Sequence, residues 1–179
     1  MEELSLHILD IAENSITAGA KNIEIKVEEN KKDDLLRIEI IDDGKGMDEE
    51  TVKKALDPFF TSRTTRRVGL GLSLLNDAAK RANGNMEIRS MPDKGTYVCA
   101  TFQLSHVDRQ PLGNMTETIT SIIAMNPAID VRYVFKHDDY QFVFNSKEIK
   151  EEFEKSKRST AEMLLFAKKY LTENTKSFS

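Results

Sequence analysis

The sequence predicts an α+β two-layer sandwich, with helices on one face of a mixed, mainly antiparallel sheet, followed by a small α+β extension at the C-terminal end. Three observations predict it. Apolar residues recur at helical spacing in some segments and alternate with polar ones in others. The alternating runs come in pairs joined by short polar turns, which makes neighbouring strands antiparallel. The order over the first hundred residues is helix, two strands, helix, loop, helix, two strands, so helices interrupt strand pairs and stack against one side of the sheet.

The first helix is expected over residues 2 to 18, where Leu4, Ile8, Leu9, Ile11, Ala12 and Ile16 repeat on one face and Gly19 supplies a stop. His7, Asp10, Asn14 and Thr17 follow at steps of three, four and three, which sets them along one polar stripe. Alone, such a stripe is a solvated helix face. Asp and Asn are mediocre mid-helix residues, however, and a carboxamide aimed into a cleft suits Mg²⁺ and phosphate oxygens.

Ile23-Glu24-Ile25-Lys26-Val27 and Leu36-Arg37-Ile38-Glu39-Ile40 alternate as a hairpin, and the second strand runs into Asp42-Asp43-Gly44-Lys45-Gly46-Met47. A carboxylate at a strand end can accept from an exocyclic amine such as that of adenine, and the glycines let backbone approach a flat ligand. The same residues would also serve as an ordinary turn before a helix capped by Asp48.

The segment 58 to 76 contains no acidic residue and carries Arg63, Arg66 and Arg67 ahead of Gly69-Leu70-Gly71-Leu72. The glycines open a helix expected over residues 72 to 82 and stopped at Gly84, so free N–H groups and a positive dipole end would face an anion. The intervening Thr- and Ser-rich stretch is long enough to act as a lid. Two further strands, Met86-Glu87-Ile88-Arg89 and residues 96 to 104, flank the turn Pro92-Asp93-Lys94-Gly95.

These boxes together resemble the GHKL ATP-binding superfamily of gyrase, the ninety-kilodalton heat-shock chaperone, histidine kinases and MutL, over residues 1 to about 104. Asp10-Ile11-Ala12-Glu13-Asn14-Ser15 with Ala18-Gly19-Ala20 looks like the N box, Asp42-x-Gly44-x-Gly46 the G1 box, Pro58-Phe59-Phe60-Thr61 the F box, and Val68-Gly69-Leu70-Gly71-Leu72-Ser73 the G2 box. The F and G2 wording is similar to histidine kinases, the N box to MutL.

The resemblance implies a Bergerat-type ATP-binding fold holding ATP and Mg²⁺. Asn14 matches the Mg²⁺-binding asparagine and Asp42 the aspartate that reads the adenine amine; Gly44 and Gly46 match the base-pocket glycines, with Met47 flanking the base. Gly69, Leu70, Gly71 and Leu72 match the phosphate-side run, Arg63 a basic lid position, and Thr96 the threonine near adenine. One departure stands out. The family's general base is usually Glu, four residues before the asparagine, and here it is Asp10, one methylene shorter. A misplacement of about 1 Å can cost on the order of 100-fold, so nucleotide binding is supported more directly than hydrolysis.

Histidine kinases carry an acceptor histidine on a helical hairpin ahead of this domain, whereas this sequence opens on the N box. The expectation is therefore a detached histidine kinase or anti-sigma serine kinase domain that phosphorylates a separate protein. A MutL- or gyrase-like ATPase switch and a non-catalytic nucleotide-sensing module stay open as alternatives. His7 is expected to line the helix surface or the pocket.

The 179 residues carry a net charge of −4 and a sequence pI of about 5.5, which argues against nucleic acid as the main partner. Cys99 is the single cysteine, so neither a disulfide scaffold nor a cysteine-rich metal site is expected. The start lacks a basic leader and no apolar run would span a bilayer, so the expectation is a cytoplasmic protein with no membrane association. Residues 1–105 are expected to form the ATP-binding domain.

Residues 106–179 are expected to form the extension. Asn114 with Glu117 caps one helix, residues 131 to 135 and 140 to 144 alternate as a hairpin, a short helix covers 147 to 154, and Ser159 with Glu162 caps the last helix. No chemistry is legible there; dimerisation, partner docking and relay of the nucleotide state are its candidate roles.

Overall fold

A computed structural model describes residues 3–57 and 70–175. The elements are α1 (Leu4–Thr17), β1 (Asn22–Asn30), β2 (Leu35–Asp42), α2 (Glu49–Ala55), α3 (Leu70–Arg81), β3 (Asn85–Ser90), β4 (Thr96–Gln103), α4 (Met115–Met125), β5 (Asp130–His137), β6 (Tyr140–Asn145), α5 (Ser146–Lys155) and α6 (Thr160–Thr175). All six strands form one sheet in the order β3-β4-β2-β1-β5-β6. Every neighbouring pair is antiparallel except β1 with β5. This is the expected α+β sandwich.

Alternation decides which face is covered. Ile23, Ile25 and Val27 of β1 are buried together with Leu36, Ile38 and Ile40 of β2, Val98, Ala100 and Phe102 of β4, and Val131, Tyr133 and Phe135 of β5. They meet Leu4, Ile8, Ile11 and Ala12 of α1, Leu72, Leu75 and Ala79 of α3, and Ile119, Ile122 and Ile123 of α4 in one apolar cluster. The opposite face carries the intervening charges in register: Glu24 lies beside Arg132, Glu28 beside Arg37 and Lys136, and Lys26 beside Glu39. Arg132 pairs with Glu24, while Lys136 reaches Glu28 at 3.1 Å. Burial would raise the Glu24 pKa, but hydrogen bonds from Lys26 and Arg132 hold it below the ordinary value.

Residues after 105 build onto this same sheet. What holds β5 to β1 is the apolar side of the joint. Ile23 lies beside Val131, Ile25 beside Tyr133 and Val27 beside Phe135, and each such side chain contributes about 1.5–3 kcal/mol on burial. A half-exposed ion pair on the other side adds only about 0–1 kcal/mol.

Local chemistry sets the helix ends. Asp48 accepts from Thr51 N at 2.7 Å, Asn114 accepts from Glu117 N at 3.1 Å, and Ser159 and Glu162 bond each other's backbone N–H reciprocally. Among the described residues no side chain caps α1. Its first donors, Leu4 N and Ser5 N, go instead to the carbonyls of Pro111 and Leu112 at 2.9 and 2.8 Å. At the end of α3 the left-handed residue is Asn83, with φ 54°, rather than the expected stop glycine. Gly84 is required for another reason: a Cβ there would fall 1.7 Å from the Thr101 carbonyl oxygen.

One expectation needs correcting. His7 shares the helical phase of Asp10 and Asn14 but is not on the helix surface; it is 3% exposed, with Nε2 3.0 Å from Gln110 Oε1. The segment that caps α1 also covers this side chain. No described helix is long and apolar enough to cross a membrane.

Candidate functional site

At one end of the sheet, on the helix-covered face, the strands bring Ser90, Thr96, Asp42 and Ile23 into one cross-strand row. The next row is apolar, formed by Ile88, Val98, Ile40 and Ile25. The site is therefore a polar ledge at the rim of the core. Asp42 lies there because β2 buries Leu36, Ile38 and Ile40 at alternate positions and the carboxylate is the next residue in that series.

Both oxygens of Asp42 are held. Ser15 Oγ donates to Oδ2 at 2.6 Å, and Gly44 N donates to Oδ1 at 2.9 Å. Each oxygen keeps a second lone pair for a ligand. Asp43 points elsewhere, accepting from Lys21 N, Asn22 N and Asn22 Nδ2 at 2.7, 2.9 and 2.7 Å. Burial would raise the Asp43 pKa, but these bonds outweigh it and hold the carboxyl below its usual 3.8. A depressed pKa contributes stability above the unfolded value and loses it as pH falls through the folded one. Asp43→Ala should therefore lower the thermal midpoint at neutral pH. The gap from wild type should narrow below about pH 4, the ordinary carboxylate range; a gap independent of pH would show that the charge contributes nothing.

The loop after Asp42 is stitched on two sides. Lys45 N bonds the Ala18 carbonyl at 2.9 Å, at the end of α1, and a Cβ on Gly44 would meet that same carbonyl at 3.1 Å. On the other side Asp93 N bonds the Lys45 carbonyl at 2.7 Å and Met47 N bonds Ser90 Oγ at 2.8 Å. Ser90 Oγ also reaches Gly95 O at 3.0 Å and Thr96 Oγ1 at 2.9 Å. Two glycines make this closeness available: Gly46 at φ 66° and Gly95 at φ 79° would each set a Cβ 2.0 Å from a carbonyl oxygen, those of Met91 and Asp42 respectively. Met47 is half-buried against the core at the loop's end.

On α1, Asp10 is exposed and Asn14 half-buried, one turn apart. The first described turn of α3 closes on Asp10: a Cβ on Gly71 would lie 2.9 Å from Asp10 Cβ. Leu70 is 42% exposed and Leu72 is 6% exposed within the core, so of these two only Leu70 offers its side chain to a ligand. Arg63, Gly69 and the stretch of residues 58 to 69 lie outside the described residues.

Asn14 offers one oxygen to a metal, and among the described residues no group of three or more His, Cys, Asp or Glu side chains could hold one. That donor set fits Mg²⁺, which keeps water and is held by one or two protein groups plus substrate phosphates.

Ser15 and Ser90, which carry no role in the sequence pattern, hold the ledge together. Ser15 follows Asn14 in the N box, yet only the pairing of α1 with a strand end 27 residues away shows that it holds Asp42. Ser90 could have been found by counting back across the Pro92 to Gly95 turn, which sets it opposite Thr96. Ser15→Ala should weaken ATP binding by about tenfold, equivalent to 1.4 kcal/mol, because the carboxylate loses a charge-assisted bond that fixes its angle. Isothermal titration would measure this; an unchanged affinity would mean that Gly44 N suffices.

The family described as histidine kinase-, DNA gyrase B-, and HSP90-like ATPase matches residues 2–106. The sensor protein kinase FleS of Pseudomonas aeruginosa is 36% identical over 110 residues, covering 62% of this chain and 27% of that protein. The sensor protein KdpD of Clostridium acetobutylicum is 37% identical over 92 residues, covering 49% and 10%. The non-motile and phage-resistance protein of Caulobacter vibrioides is 29% identical over 112 residues, covering 58% and 13%. The chain thus spans at most 27% of these relatives' lengths.

Proposed function

Because this chain belongs to the histidine kinase-, DNA gyrase B-, and HSP90-like ATPase family, we propose that it binds Mg-ATP and passes the γ-phosphate to a histidine, serine or threonine on a separate protein. The observation that carries this reading is the convergence of the Asp42 ledge and the Asp10–Asn14 stretch of α1 beside the first turn of α3.

In this reading Asp42 accepts from the adenine amine, oriented by Ser15 and Gly44 N. Gly44, Gly46 and Met47 form the wall against the base, and Thr96 stands beside Asp42. Mg²⁺, held by Asn14 and the phosphates, would neutralise charge on the transferring group. The acceptor's oxygen or nitrogen bonds to the γ-phosphorus as the bond to the β-phosphate bridging oxygen breaks, and ADP leaves. Asp10, exposed at the rim, would take the proton of a hydroxyl acceptor. The family resemblance also supports a cytoplasmic signalling role.

A second reading is favoured by the contacts at the start of α1. Pro111, Leu112 and Gln110 all hold this helix, and Thr118 Oγ1 donates to the Ser5 carbonyl at 3.4 Å. Movement of α1 with nucleotide state would therefore pull on the extension, as in a gyrase- or MutL-like switch. Incubation with γ-labelled ATP, with and without cell extract, separates the readings. Label on an extract protein supports trans-phosphorylation, whereas free phosphate alone supports the switch. Bound but unconverted ATP leaves the nucleotide-sensing module.

A further inference from the structure

The two edges of the sheet are unlike. β3 carries Glu87 and Arg89, paired with each other at 2.5 Å on the exposed side. Charges of this kind prevent an edge strand from pairing with another chain. β6, Tyr140-Gln141-Phe142-Val143-Phe144-Asn145, contains no charged residue and no proline, and no described segment pairs with its outer side. In an antiparallel ladder, residues alternate in pointing their N–H and C=O groups toward and away from the partner strand. Counting from the His137/Tyr140 pair that the two-residue turn closes, Gln141, Val143 and Asn145 point theirs away from β5.

In the helix layer α6 flanks the same edge, with Phe166 packed on Phe153 of α5 at 5.5 Å between ring centroids. Tyr170 of α6 packs over this strand, its ring 5.4 Å from that of Phe142, and Tyr140 Oη donates to the Asn174 carbonyl at 3.0 Å. Lys168 pairs with Glu117 of α4 at 2.5 Å on the inner flank of α6. Phe166, two residues before Lys168, lies about 160° round the helix from it, on the outer flank with Tyr170. Phe166 is 45% exposed, and Tyr170 and Val143 are each 38% exposed.

We infer that β6 and the outer flank of α6 form a homodimer interface, in which β6 pairs antiparallel with β6 of a second copy and the two sheets become continuous. The two-layer shape of this edge, as the described residues form it, favours this occupant. An extended peptide would cover the strand and leave Phe166 and Tyr170 in water, whereas a twofold axis supplies strand to strand and helix to helix. The strand is also complementary to itself. Pairing centred on Val143 sets Val143 opposite its copy and Gln141 opposite Asn145, so no like charges meet. Val134 lies beside Val143 on the exposed face, which makes a row of four valines across the joint.

Sedimentation of the full chain at about 100 µM tests this, a concentration that fills an interface of micromolar dissociation constant. The wild type should run as two chains. Val143→Lys and Val143→Glu, at an exposed position away from the nucleotide ledge, should each keep the circular dichroism spectrum and run as one chain, since each sets like charges face to face. Mixing the two variants should restore the double mass. A monomeric wild type overturns the proposal and leaves the edge to an extended segment of another protein. Variants that stay dimeric, or a mixture that stays monomeric, overturn it equally.

Discussion

Asp42→Asn should weaken ATP by roughly 10- to 150-fold, the equivalent of losing a hydrogen bond to a charged acceptor worth about 1.5–3 kcal/mol. The substitution is isosteric, and the structure shows why the protein should stay folded. With the asparagine oxygen toward Gly44 N, its amide nitrogen faces Ser15 Oγ, which can accept because Ser15 also lies 3.2 Å from the Ile11 carbonyl and can turn its proton there. No buried donor is stranded. What disappears is the negative charge that, in the proposed function, faces the adenine amine, so discrimination against guanine should fall as well. Titration of ATP and GTP against the folded variant measures both. Unchanged ATP affinity would mean that Asp42 does not read the base.

Asp42 was legible because its signal is local. A hydrophobic alternation that ends in a carboxylate and two glycines states both the face and the strand end within a dozen residues. The antiparallel hairpins were legible for the same reason, each closed by its own turn. The parallel pairing of β5 with β1 was not, because its partners stand 108 positions apart: Ile23 with Val131 and Val27 with Phe135 are as apolar as any other strand pair. Nothing in the hairpin's own pattern says which edge it will join.

His7 shows the same limit from the other side. Its helical phase groups it with Asp10 and Asn14, and phase alone cannot reveal that residues 110 to 112 return to cover that part of α1. Ser15 was invisible as the partner of Asp42 because a buried mid-helix serine ordinarily bonds back to its own helix. It does approach Ile11 O at 3.2 Å, but its shorter bond, 2.6 Å, goes to Asp42.

The last expected result separates the two polar residues of α1. Asn14→Ala should remove the Mg²⁺-dependent part of ATP affinity, since Asn14 is half-buried and offers the metal an oxygen that alanine lacks. Asp10→Asn should leave binding nearly intact and lower turnover by about 10²- to 10⁴-fold, the usual worth of a general base. The geometry supports this division. Asp10 is exposed and sits against Gly71, with no room there for a side chain, so an isosteric amide preserves the packing of α1 on α3. ATP titrations with and without Mg²⁺, paired with a turnover assay, would resolve the two effects. A histidine acceptor carries its own nucleophilic nitrogen and needs no base, so a small effect of Asp10→Asn with an otherwise active protein would favour histidine over a hydroxyl. If Asp10→Asn abolished binding while Asn14→Ala did not, the roles would be reversed, and the alignment of this helix with the family's N box would have to be redrawn.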